Sequence, residues 1–134
     1  MEDAWVKGKL LVVDDDEGLQ RAIRRAAETA GFEVTQVFDG LEAVKVSSDE
    51  NFDVILLDIN MPAMDGRDVL THLKRDPRTA GIPVIVHSSR SSQLDRHLIF
   101  ELGADDFIEK PAELRSLVGK LGHLVERARS RKGP

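Results

Sequence analysis

The chain has no cysteine, no tyrosine and a single tryptophan in 134 residues. Without a thiol it can make no disulfide and offers no sulfur nucleophile, as expected of a chain in a reducing compartment. Positive charge is also in deficit. The formal net charge is −5, which argues against nucleic acid as a ligand of this segment. Long apolar runs are absent too: none approaches the length needed to cross a bilayer. The acidic start, Met1-Glu2-Asp3-Ala4-Trp5, lacks the apolar stretch of a secretory signal. A cytoplasmic chain without membrane or nucleic-acid partners is the expectation. Neither an internal repeat nor a low-complexity segment interrupts it.

What the chain does contain is regularly ordered, and its size suits one domain with an adequate core. Apolar runs at Leu10–Val13, Val34–Val37, Val54–Leu57, Val84–Val86 and around Phe107-Ile108 alternate with stretches of helical length. An α/β domain on a parallel sheet is therefore predicted. A first helix should follow Asp16 or Glu17, present Leu19, Ala22, Ile23, Ala26 and Ala30 on one face, and close at Gly31. Leu41 to Ser48 suggests a second. A third should begin near Gly66, turn Val69, Leu70 and Leu73 inward and stop before Asp76-Pro77. Asp76 to Pro83 is expected to be a surface loop, and Ser92 to Leu102 a fourth helix closed by Gly103. A fifth is marked by Leu114, Leu117, Val118, Leu121, Leu124, Val125 and Ala128. Residues 1–8 read as an N-terminal extension, 9–129 as the domain and 130–134 as a tail or the start of a linker.

The candidate chemistry sits at strand ends. Val54-Ile55-Leu56-Leu57 delivers Asp58 into a turn-rich stretch, Ile59-Asn60-Met61-Pro62-Ala63-Met64-Asp65-Gly66. Leu10-Leu11-Val12-Val13 ends likewise in Asp14-Asp15-Asp16. In parallel sheets the ligand crevice lies beyond the carboxyl ends of the strands. Carboxylates gathered there repel unless a cation joins them, and hard all-oxygen ligands suit magnesium. Taken singly, each residue has a plainer reading. Asp58 could be a turn or capping residue, Lys110 a solvated lysine, Ser88 a loop hydroxyl, Phe107 a core aromatic and Arg90 a solvated loop charge. His72, His87, His97 and His123 show no metal-ligand spacing and are expected to be ordinary helix-face or strand-end residues.

Taken together, four motifs are specific. An acidic pair (Asp14-Asp15) follows the first strand, and Asp58 with Met61-Pro62-Ala63-Met64-Asp65-Gly66 follows the third. Ser88 follows the fourth and Lys110-Pro111 the fifth. In this order they resemble the receiver domain of bacterial two-component response regulators, from about Lys9 to the last helix. The resemblance implies a flavodoxin-like doubly wound fold with strand order 2-1-3-4-5. It implies that Asp58 accepts a phosphoryl group from a phosphohistidine on a sensor histidine kinase or phosphotransfer protein. Magnesium would be bound by Asp15, Asp58 and the backbone carbonyl of Asn60, with Asp14 acting through water. Lys110 would pair with the phosphoryl oxygens and Ser88 would swing to hydrogen-bond them. Phe107 stands where relatives often carry a rotating tyrosine, while Asn60 and Arg90 match positions that tune phosphate hydrolysis. The Lys110–Pro111 bond is usually cis in such domains. Three consecutive aspartates leave the register of the acidic pair open; the family pattern, with its pair directly after the strand, selects Asp14 and Asp15 and leaves Asp16 to cap the first helix.

The resemblance also implies an output surface on helix 4, strand 5 and helix 5, contacting a downstream effector domain or protein. Ala104-Asp105-Asp106-Phe107 and Arg115 partly match a charged dimerisation face, so a homodimer stays open. The long Lys74–Pro83 stretch looks more like receivers that stand alone or accompany kinases and cyclases. One rival is an enzyme. Leu11-Val12-Val13-Asp14-Asp15-Asp16 also resembles the first motif of haloacid dehalogenase-type phosphatases, with Asp14 as nucleophile and Asp16 as general acid. That reading lacks an acidic motif after Lys110 and leaves Asp58 unexplained.

Overall fold

The computed structural model describes residues 7–62, 64–89 and 93–132, with the backbone alone of 93, 94 and 132. Each predicted apolar run forms a strand: β1 (Gly8–Val13), β2 (Phe32–Val37), β3 (Val54–Leu57), β4 (Val84–Ser88) and β5 (Asp106–Glu109). All five pair in parallel in the order β2-β1-β3-β4-β5. Between them run α1 (Glu17–Thr29), α2 (Gly40–Asp49), α3 (Gly66–Arg75) and α4 (Gln93–Glu101), and α5 (Leu114–Lys132) follows β5. This is the flavodoxin-like doubly wound arrangement.

Alternation along the strands divides the core between two faces. Leu11, Val13, Ile55, Leu57, Val84, Val86 and Phe107 pack with Ala43 of α2, Val69, Leu70 and Leu73 of α3 and Ile99 of α4. Leu10, Val12, Val54, Leu56 and Ile85 pack with Ile23 and Ala27 of α1 and Leu117, Leu121 and Leu124 of α5. Aspartates start three of the helices. Asp16, Asp39 and Asp65 accept from the backbone N–H of Leu19, Glu42 and Arg67 respectively, satisfying donors that a helix start leaves open.

The structure departs from the sequence-based expectations at several ends. β4 continues past Val86 through His87 to Ser88, because pairing with Ile108 and Glu109 of β5 extends the ladder. Residues 76–83 are more than a surface loop. Thr79 is buried and its Oγ1 donates to the Leu73 carbonyl at 2.6 Å, while Lys74 Nζ donates to the carbonyls of Ala80 and Ile82. Ser130 to Lys132, expected in a tail, continue α5. Gly31 and Gly103 have φ of 103° and 109°, the left-handed backbone that favours glycine just past a helix end.

Candidate active site

β1 and β3 are neighbours in register, with Val13 opposite Leu57, so the next residue of each strand, Asp14 and Asp58, emerges at one end of the sheet. The backbone fixes both. Asp58 N–H donates to the Val13 carbonyl at 2.9 Å, and Asp14 N–H donates to the Val37 carbonyl at 3.2 Å. Both carboxylates are buried, 2 % exposed for Asp14 and 3 % for Asp58, whereas Asp15 is exposed. One oxygen from each of the three lies within 4.8 Å of the others.

Lys110 enters from β5. Its N–H donates to the Ser88 carbonyl at 2.9 Å, and its bond to Pro111 is cis. The ammonium donates to Asp14 Oδ2 at 2.8 Å and lies 3.4 Å from Asp58 Oδ2. Burial alone would push the Lys110 ammonium down, but the two carboxylates outweigh it and hold the group above its ordinary value. Burial raises the Asp58 carboxyl, against the opposing pull of the Asn60 amide and Lys110. Among the described residues, one ammonium thus contacts two of the three clustered carboxylates. Such a cluster of hard oxygens, short of positive charge, fits a divalent cation held by Asp14, Asp15 and Asp58.

Asn60 spans the mouth of this cleft. Its backbone N–H donates to Asp58 Oδ1 at 3.0 Å, and its side-chain Nδ2 donates to Ser88 Oγ at 2.9 Å. Phe107 is buried in the core, with the Arg96 guanidinium 4.9 Å above its ring. Arg90 lies outside the described residues. Asp16 is turned from the cluster, its Oδ1 accepting the Leu19 N–H at 3.0 Å, so the general acid of the phosphatase reading is occupied as a helix cap. Asp105, in the stretch that partly matches a dimerisation face, has contacts within the fold: Oδ2 accepts from Val84 N–H at 2.8 Å and from Lys74 at 3.4 Å.

Two residues near the site gave no signal in the sequence pattern. Gln20, on α1, is buried with its amide against the carbonyls of Val12, Asp14 and Val37. His87 is 2 % exposed, and among the described residues neither ring nitrogen has a hydrogen-bond partner. His87 is a strand-end residue, the penultimate of β4, and strand alternation puts it on the buried face shared with Ile85.

A sequence model of the family described as response regulator receiver domain matches residues 10–122. The chain belongs to that family. The transcriptional regulatory protein PrrA of Mycobacterium tuberculosis is 39% identical over 127 residues, covering 95% of this chain and 54% of PrrA. CpxR of Escherichia coli is 39% identical over 120 residues, or 90% of this chain and 50% of CpxR. The receiver domain thus spans about half the length of these curated relatives. Both are transcriptional regulatory proteins, although the long Lys74–Pro83 stretch pointed towards other kinds of receiver. Among solved structures, the Francisella response regulator 1452 receiver domain superposes with a TM-score of 0.84 at 32% identity, covering 90% of this chain and 98% of that one. The receiver domain of sensor histidine kinase PA1611 from Pseudomonas aeruginosa, solved with magnesium in its active-site cleft, gives 0.82 at 26% identity, with 89% and 98% covered.

Proposed function

We propose that Asp58 is the phosphoacceptor of this receiver domain and that Asp14, Asp15, Asp58 and the Asn60 carbonyl hold magnesium beside it. The observation that carries the reading is Lys110 Nζ between Asp14 and Asp58, 2.8 and 3.4 Å from their carboxylates, at the end of two adjacent parallel strands. Phosphoryl transfer asks little covalent work of a protein. It requires in-line positioning and compensation of charge on the equatorial oxygens. A carboxylate oxygen of Asp58 bonds to phosphorus as the phosphorus–nitrogen bond of a donor phosphohistidine breaks, and the imidazole leaves with the bonding pair. Bound magnesium supplies charge compensation. Lys110 is placed to exchange its contact with Asp14 for one with a phosphoryl oxygen.

Ser88 is the hydroxyl that follows the new group, and Phe107 the aromatic whose rotamer reports it to the surface of α4, β5 and α5. The phosphorylated and unphosphorylated surfaces are two populations that the phosphoryl group biases through these contacts. The donor is a sensor histidine kinase or phosphotransfer protein, and the receiver of the signal is an effector domain or protein.

Intact-protein mass after incubation with acetyl phosphate and magnesium tests this. A single phosphoryl adduct is expected on the native chain and none on Asp58→Asn, with acetate as the leaving group. An adduct of equal yield on Asp58→Asn would move the acceptor elsewhere. Steady phosphate release that survives the substitution would favour hydrolytic chemistry instead.

A further inference from the structure

Gln20 is 1 % exposed, and its position on α1 puts a buried amide behind the acidic cleft. Nε2 lies 2.9 Å from the Val37 carbonyl, 3.1 Å from that of Asp14 and 3.2 Å from that of Val12. An amide nitrogen has two hydrogens for these three acceptors, so one is shared. On its other side, Oε1 accepts from Gln36 Nε2 at 2.8 Å, and that nitrogen also donates to the Gln20 carbonyl at 2.7 Å. Gln36 Oε1 in turn accepts from Arg24 at 3.1 Å. The network runs from the surface of α1, across the edge strand β2, to the carboxyl ends of β1 and β2.

These bonds end on the backbone that carries the cleft's carboxylates. The Val37 carbonyl accepts both the Gln20 amide and the Asp14 N–H, and the Asp14 carbonyl accepts Gln20 as well. Both peptide groups of Asp14 are thus tied to one junction, at the point where β1 pairing ends and Asp15 begins. A buried amide is costly unless its hydrogen bonds are made, and here they are made to the strand ends. We propose that Gln20 is a positioning residue for the metal-binding carboxylates. It holds the end of β1 so that Asp14 and Asp15 keep their spacing to Asp58. This rests on the reading that these carboxylates hold magnesium. Partners that orient metal ligands from behind typically change affinity by ~10–100-fold when removed.

Gln20→Met keeps the length of the side chain and removes both donors. Magnesium chloride titrated into the full chain and followed by amide NMR should give a dissociation constant weaker than native by about 10-fold or more. In the metal-free chain, hydrogen exchange at the Asp14 amide should quicken. Ile23→Val, a core change on the same helix, should leave magnesium affinity at the native value while lowering stability. Gln36→Leu, which removes the donor bracing Gln20, should show the magnesium loss in smaller measure and decides the matter if Gln20→Met does not fold. Native affinity in the folded Gln20→Met protein, or in Gln36→Leu where it stands in, overturns the inference alone. An equal loss in Ile23→Val does so too. A native chain that binds no magnesium defeats the metal reading and this inference together.

Discussion

His87 carries a cost that the site chemistry does not obviously repay. Its ring is buried, with no partner for either nitrogen among the described residues. Burial first, and then the nearby Lys110 ammonium, lower its pKa from 6.5 to about 4. The folded chain therefore binds this proton more weakly than the unfolded chain. The contribution is fully present above 6.5 and is lost as pH falls from about 6.5 towards 4. Asp58 works in the opposite sense, since its raised carboxyl binds a proton more readily in the folded state and gains relative stability in acid. Comparing native with His87→Leu separates the two. Urea unfolding at pH 7 and pH 5 should show native stability falling by about 2 kcal/mol more than that of the variant. Parallel pH profiles would mean that the imidazole titrates normally or finds a partner.

Among the elements, α3 sets the tightest constraint on the site. It starts at Gly66, whose N–H donates to the Ile59 carbonyl at 3.2 Å. A Cβ there would lie 2.3 Å from Ile59 Cα and 2.5 Å from the Asp58 carbonyl oxygen, both backbone atoms that cannot swing aside. Gly66→Ala must push α3 away from the segment that positions Asp58. Overpacking of this kind costs roughly 1–3 kcal/mol and should also slow phosphoryl uptake. Gly119, inside α5, has nothing within 4 Å of where its Cβ would be, so Gly119→Ala should stabilise by about 1 kcal/mol. Chemical denaturation of the pair tests the contrast, and equal effects would contradict the close approach at Gly66. The loop from Met61 to Gly66 was legible as a motif in the sequence, and Asp16 as a cap. The steric reason for Gly66 was not, because the atoms it meets come from a turn whose path is set by β3 and α3 together.

Across the whole molecule, the sequence disclosed the sheet because both of its faces are covered, which makes its strands uninterrupted apolar runs. Strand order and the gathering of the strand-end residues came from resemblance, since periodicity does not say which strands are neighbours. Gln20 and His87 stayed hidden for a related reason. A glutamine between Leu19 and Arg21 looks like a solvated helix residue until the carbonyls of β1 and β2 are brought to it, and the strand-end His87 shows its burial only once β5 pairs alongside β4. The same convergence concentrates negative charge. Asp14 and Asp58 are buried beside Asp15 with Lys110 as their partner, in a chain of net charge −5. Added salt screens exposed charges and reaches buried ones poorly, whereas a cation bound between the carboxylates removes the repulsion where it arises. Magnesium chloride should therefore raise the unfolding midpoint beyond sodium chloride of equal ionic strength, by about 2.7 kcal/mol of stability at one hundred times the dissociation constant. Asp15→Asn leaves the buried pair intact and removes one ligand, so the magnesium increment should shrink while stability in sodium chloride stays near native. If both salts act alike on the native chain, the carboxylates do not hold the metal, and among the described residues Lys110 is what balances them.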